Sequence, residues 1–106
     1  MSCLSFVSIS PVGEGESVSE FVAKAVEVID QKSKEKGFPY ELTAMGTIFE
    51  TQDLKTSLEV VQDAVNQVLS HKNTRLSVLI KIDIRKGDNR IKTKVESVKN
   101  KLSKGR

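Results

Sequence analysis

Tyr40-Glu-Leu-Thr-Ala-Met-Gly-Thr-Ile-Phe-Glu50 reads as two short strands with one glycine near their junction. Leu42, Ile48 and Phe49 supply apolar bulk, while Tyr40, Thr43, Thr47 and Phe49 suit a pleated surface. Gly46 can adopt backbone angles that a side chain forbids, and it lets another backbone or a ligand come close. The chain on either side of this hairpin reads as two versions of one unit. Each version has a strand and a long amphipathic helix.

Before the hairpin, residues 3–10 alternate as a strand, with Val7 and Ile9 on one face and Phe6, Ser8 and Ser10 on the other. Pro11 and Gly13 end it. Ser17-Val-Ser-Glu20 has the spacing of a capping box, in which a serine hydroxyl and a glutamate carboxylate satisfy each other's backbone amides. Val18, Phe21, Val22, Ala25, Val26 and Ile29 follow at helical spacing, which predicts a helix over 18–36. Gly37 supplies the left-handed stop, with Pro39 beyond it.

After the hairpin, Thr51 or Asp53 can cap a second helix carrying Leu54, Leu58, Val61, Val65, Val68 and Leu69, ending near His71-Lys-Asn73. Residues 75–85 form the clearest strand: Leu76, Val78, Ile80, Ile82 and Ile84 share one face, and Ser77, Leu79, Lys81, Asp83 and Arg85 the other. Asp88 or Asn89 can cap a third helix with Ile91, Val95, Val98 and Leu102 on one side, fraying from about Ser103.

The order is strand, helix, strand, strand, helix, strand, with one more helix at the end. This is the α+β, ferredoxin-like βαββαβ pattern in a single domain spanning 1–106. It predicts a four-stranded antiparallel sheet with the second and fourth strands at its edges. Two helices cover one face, and the C-terminal helix is extra. The uncovered face is expected to show Phe6, Ser8, Ser10, Thr43, Met45, Thr47, Phe49, Ser77, Leu79, Lys81 and Asp83. That mixture is too apolar for a solvated surface and too polar for a core. It suits an interface between subunits, with or without a small ligand held there.

Composition narrows the class. With 106 residues, 29% charged and 38% hydrophobic, the chain is long enough for one core and too apolar for disorder. No apolar run approaches the ~20 residues of a membrane span, and no signal-peptide pattern begins the chain, so a cytoplasmic location is expected. The net charge of +3 is uneven: residues 85–106 hold nine basic and two acidic residues, against eight and twelve in 1–84. A basic tail can signal nucleic acid. The acidic body and the five aromatics argue against that partner.

Catalytic patterns are missing from the sequence. Cys3 has no second thiol and reads as a plain strand residue; His71 has no companion ligand, so no metal and no cofactor are expected. Gly13-Glu-Gly15 carries carboxylates on both sides, Glu14 and Glu16, that would repel phosphate. Ser8, Ser10 and Ser17 have no histidine placed to activate them. Asp83 beside Lys81 reads as a structural ion pair.

Pro11-Val-Gly13, Ser17-Val-Ser-Glu-Phe-Val22, Tyr40-Glu-Leu-Thr-Ala-Met-Gly-Thr47, Lys81-Ile-Asp83 and Lys94-Val-Glu-Ser-Val98, in this order, resemble the small thiamine-binding, YkoF-like proteins. These were long grouped as an uncharacterised protein family. The resemblance runs from about residue 3 to 102, and its most specific block is the hairpin. The family often has Pro where Ala44 stands and a second acidic residue where Ile84 stands. The resemblance implies homodimers or dimers of dimers with sheets packed face to face. It also implies binding of thiamine or its hydroxymethylpyrimidine part, for carriage or sensing and not for conversion. Asp83 or Glu50 would then meet the cationic thiamine. Phe6 or Phe49 would stack on the pyrimidine, and Thr47, Ser8, Ser10 or the backbone near Gly46 would hydrogen-bond to it. The alternative is an oligomeric interaction module without a small ligand.

Overall fold

Phe49 decides how the sheet sits on its helices. In the computed structural model, which describes residues 1–13, 18–71 and 75–104, the ring of Phe49 is fully buried and tilts against Phe38, centroids 5.8 Å apart. The elements run β1 (Ser2–Val12), α1 (Ser19–Lys36), β2 (Tyr40–Leu42), β3 (Thr47–Thr51), α2 (Leu54–His71), β4 (Arg75–Arg85) and α3 (Arg90–Lys104). The strands form one four-stranded sheet in the order β2-β3-β1-β4, with every neighbouring pair antiparallel. This is the ferredoxin-like arrangement, with β2 and β4 at the edges as the element order requires.

α1 and α2 pack on one another and on the sheet face that carries Val7, Ile9 and Phe49. Phe21, Ala25 and Ile29 of α1 and Val60, Val61, Ala64 and Val68 of α2 close the core over them. The polar positions on this face are also satisfied. The Ser5 hydroxyl donates to Ser57 Oγ at 3.2 Å, and Ser57 Oγ lies 2.6 Å from Thr51 Oγ1. Thr51 Oγ1 in turn donates to Asp53 O at 2.8 Å, so the three buried hydroxyls avoid the desolvation penalty an orphan would carry. Across the edge, the Tyr40 hydroxyl donates to Asp30 of α1 at 2.8 Å and ties β2 to the helix layer.

Local signals set the helix ends. Gly37 takes the left-handed conformation (φ 74°) and donates its amide to Ser33 O at 2.8 Å, as its place after the basic last turn of α1 requires. Asp53 caps α2, accepting from the Thr56 amide at 2.7 Å. The proposed capping serine of α1, Ser17, and Asn73 lie outside the described residues.

α3 differs from the sequence reading. Neither Asp88 nor Asn89 supplies the capping side chain. The carboxylate of Glu50, on β3, accepts from the Arg90 amide at 2.8 and 3.1 Å and from the Ile91 amide at 3.3 Å. Asn89, at φ 54°, turns the chain so that these two amides point back at the sheet. α3 therefore starts over the face that α1 and α2 leave open, packed on β1 and β3.

Candidate functional site

The pairing register assigns each strand residue to a face. Phe6 pairs with Ile48 and Lys81, Leu4 with Glu50 and Asp83, and Ser8 with Leu79. These side chains form the open face. Val7 pairs with Thr47 and Ser5 with Phe49, so Thr47 and Phe49 belong to the helix-covered face. Their expected place on the uncovered face is thus corrected, and the residues that stand there from β3 are Ile48 and Glu50. The physical cause is burial: β3 can put Phe49 in the core only in this register, and a slip by one residue would invert the whole strand.

Gly46 is where the hairpin meets the centre of the sheet. A Cβ on it would lie 2.6 Å from Cε2 and Cζ of the Phe6 ring and 2.8 Å from the Val7 carbonyl oxygen. Its backbone is not in the left-handed region, which among the described glycines is used by Gly13, Gly37 and Gly87. Close approach alone therefore requires glycine here. Thr43 shapes the turn: its hydroxyl donates to Gly46 O at 2.7 Å and accepts from the Gly46 amide at 3.2 Å.

Three concavities divide the residues singled out in the sequence. One of about 170 Å³ under the turn is lined by Ser8, Ser10, Gly46 and Thr47 together with Val22 of α1 and Val18 just before that helix. Another, about 450 Å³, lies at the opposite end of the sheet by Glu50, Asp53, Lys36 and Asp88. Two of its carboxylates are already committed to capping, Glu50 for α3 and Asp53 for α2. The third, about 320 Å³, lies on the open face under α3 and is lined by Leu4, Ser5, Phe6, Ile48, Lys81, Asp83 and Lys94. Its size falls at the lower end of the ~300–1,000 Å³ common for small-molecule sites. Its floor is aliphatic and aromatic, and its charges stand at one rim.

At that rim Asp83 does not bond Lys81, the neighbour the sequence suggested. Its Oδ2 accepts from Arg90 Nη2 at 2.6 Å and from Lys94 Nζ at 2.8 Å. The Lys94 ammonium, and beside it the Arg90 guanidinium, hold the Asp83 carboxyl below the ordinary carboxylate range. Asp83 Oδ1 has no bond among the described residues. Arg90, itself 4% exposed, continues inward, donating from Nη1 to Asp83 O at 3.0 Å and to Ser2 O at 3.2 Å.

Glu50 is the second half of the same latch. Burial pushes its carboxyl up, but the Ser2 hydroxyl (2.5 Å) and the amides of Arg90 and Ile91 outweigh that and bring it below its usual value. Glu50 and Asp83 thus fix α3 over one end of the open face, and the cavity is the space left between the helix and the sheet. Sequence reading missed Arg90. The available signal was an arginine in the first turn of a helix, where the dipole disfavours a cation unless acids surround it.

A family model described as thiamine-binding protein matches residues 5–99. A UPF0045 protein of Methanothermobacter thermautotrophicus is 37% identical over 98 residues, covering 91% of this chain and 95% of that one. A UPF0045 protein of Methanocaldococcus jannaschii is 40% identical over 93 residues, 87% of each. The crystal structure of a hypothetical protein from M. jannaschii superposes with a TM-score of 0.77 at 37% identity, over 92% of this chain and 95% of that one. A candidate thiamine biosynthesis/salvage protein of Thermotoga maritima superposes at 0.70 with 16% identity, over 90% and 99%, a likeness of fold. No helix among the described residues is long and apolar enough to cross a membrane.

Proposed function

This chain belongs to the thiamine-binding protein family, and we propose that it binds thiamine or its hydroxymethylpyrimidine part without converting it, in the open-face cavity beneath α3. The observation that supports the place is one carboxylate beside an apolar floor. Leu4, Phe6 and Ile48 offer a flat surface for an aminopyrimidine ring, and Asp83 Oδ1 is free to accept from its exocyclic amine. Ser8 continues the same face towards Gly46. Of the other residues suggested by sequence, Ser10 sits further along this face, Glu50 is occupied with α3, and Thr47 and Phe49 point to the core.

The open face is also the surface on which a second copy would pack, sheet to sheet, so that the ligand is held between subunits in a homodimer or dimer of dimers. A carrying or sensing role, in the cytoplasm, is the reading we favour, and it is supported by an orienting carboxylate with no nucleophile–base pair beside it among the described residues. Titration calorimetry with thiamine, hydroxymethylpyrimidine and the thiamine phosphates tests the reading. Binding to wild type that is lost in Phe6→Ala and in Asp83→Asn is expected. No heat from any of them at millimolar concentration overturns it. A second reading, an interaction module without ligand, has its own support in the two cations already seated on Asp83. A crystal structure with the open face fully packed and no cavity would favour it.

A further inference from the structure

The charges around the open-face cavity do not balance. Glu50 accepts the Arg90 amide at 2.8 Å, and Asp83 accepts from the Arg90 guanidinium at 2.6 Å and the Lys94 ammonium at 2.8 Å. Two carboxylates thus stand with two cations, and all four are used in seating α3. Lys81 is a third cation, on the cavity's rim. It is exposed and has no hydrogen bond or ion pair among the described residues.

The sheet fixes where Lys81 stands. It pairs with Phe6 of β1, and Phe6 pairs with Ile48 of β3, so the lysine ends the row whose two apolar members floor the cavity. Glu41 of β2 ends the same row on the other side, three strand spacings or roughly 14 Å away between Cα atoms, and forms no pair with it. Asp83 is two residues along the same face, roughly 6.6 Å between Cα atoms, but its bonds go to α3. A neutral ring would satisfy the floor and Asp83 Oδ1 and leave Lys81 without a counter-charge. A cationic ligand would add a fourth positive charge to the rim. An anionic group supplies what the rim lacks.

We propose that the cavity takes the pyrimidine with its hydroxymethyl arm phosphorylated, and that Lys81 selects this form by contacting the phosphate. The inference rests on the ligand reading above and adds the ligand's charge to it. In the aminopyrimidine, the amine and the hydroxymethyl arm occupy adjacent ring carbons. An amine held on Asp83 Oδ1 therefore sends the arm along the rim, into the span of the Lys81 side chain. A phosphate monoester there carries about 1.5–2 negative charges at neutral pH and offers three acceptor oxygens. Lys81 meets it as a point charge, and the Lys94 ammonium has two further N–H groups beyond the one given to Asp83. Asp83 repels the phosphate, but the two cations on its Oδ2 offset that charge. Thiamine is disfavoured at the same point, because its arm would carry the cationic thiazolium ring to Lys81.

Titration calorimetry on the full chain at low salt tests this with the free hydroxymethylpyrimidine, its phosphate monoester and inorganic phosphate. The monoester is expected to bind roughly five- to tenfold tighter than the alcohol, the gain from exposed charge-assisted contacts. That ratio should fall towards one in Lys81→Met and persist in Lys81→Arg. It should also persist in Lys92→Met, which removes a cation of α3 outside the cavity lining. Lys81 is exposed and unbonded, so its replacement leaves the fold intact. In wild type the ratio should shrink as salt is raised, because screening weakens the exposed contact. Equal affinity for alcohol and monoester, or a ratio unmoved by Lys81→Met, overturns the proposal and leaves the ligand reading standing. Inorganic phosphate bound as tightly as the monoester overturns it as well, since the ring would then contribute nothing. No heat from either pyrimidine or from thiamine overturns the ligand reading and this inference with it.

Discussion

Replacing Gly46 by alanine adds one methyl group at the most crowded point of the hairpin. The new Cβ would sit 2.6 Å from two atoms of the Phe6 ring and 2.8 Å from the Val7 carbonyl oxygen, where ordinary contact begins at 3.4 Å. The ring must therefore withdraw by about 0.8 Å and the carbonyl by about 0.6 Å. The ring is half-buried on the open face and can turn aside cheaply. The carbonyl belongs to β1, which is held between β3 and β4, and cannot move without straining both pairings. Overpacking of this kind costs about 1–3 kcal/mol, and the backbone contact argues for the middle of that range, about 2 kcal/mol. In a domain of this size that lowers Tm by about 8–16 °C. Urea unfolding followed by circular dichroism gives the free energy directly. A double-mutant cycle with Phe6→Ala separates the two contacts. Deleting the ring should return part of the loss, and the remainder measures the Val7 carbonyl. A Gly46→Ala protein within about 0.3 kcal/mol of wild type would refute the close-approach account of this glycine, and a strictly additive cycle would assign its whole cost to the Val7 carbonyl.

Two further substitutions probe the latch and the face assignment. Glu50→Gln keeps the shape of the α3 cap but turns one of its oxygens into a donor facing amide donors; a loss of about 2–4 kcal/mol is expected from equilibrium unfolding. Because the folded Glu50 carboxyl lies below its usual value, its stabilisation is complete above about pH 4.3 and is lost as pH falls through the lower, folded value. The protection factors of the Arg90 and Ile91 amides, taken against the intrinsic exchange rate at each pH, should therefore fall on acidification in wild type, with that acid dependence much reduced in Glu50→Gln. Thr47→Arg places a charge on the helix-covered side, where Thr47 is 4% exposed. It should destabilise the monomer fold by several kcal/mol, visible as a large Tm loss, and not merely split an assembly into smaller soluble species.

The fold was legible because its punctuation is local. Gly37 after a basic last turn, Asp53 before Leu54, and five alternating aliphatics in β4 each act within a few residues, and each does so in the structure. The hairpin was legible in outline but not in register. Parity can be carried through a strand but not across the turn at 43–46, where the hydroxyl of Thr43 closes the chain on Gly46. Thr47 and Phe49 were consequently placed one face away from their true positions. Phe38 provides the missing information, since its ring meets Phe49 only from the helix side. The cap of α3 could not be read at all. Its acceptor, Glu50, is forty residues from Arg90 in the chain, and no local pattern links them.

The same long-range latch explains why the candidate site exists. An edge-to-edge ferredoxin-like sheet with two helices leaves one face bare, and a bare face offers little enclosure to a small molecule. α3 supplies the second wall, but a helix made basic by Arg90, Lys92, Lys94, Lys99, Lys101 and Lys104 has little apolar area with which to hold itself down. Val95, Val98 and Leu102 are each more than half exposed, so packing does not seat it. Two carboxylates do: Glu50 takes the amides of its first turn, and Asp83 takes Arg90 and Lys94. The cavity wall is therefore electrostatic where most pocket walls are hydrophobic. Asp83 carries a second consequence, because a ligand amine that accepts its place beside Oδ1 also stands next to the two cations on Oδ2. A ligand bearing a fixed positive charge must overcome that repulsion, whereas the neutral hydroxymethylpyrimidine need not. Removing one cation by Lys94→Met should therefore favour thiamine over hydroxymethylpyrimidine relative to wild type. Calorimetry showing the ratio of the two affinities unmoved would place the ligand's charge away from Asp83.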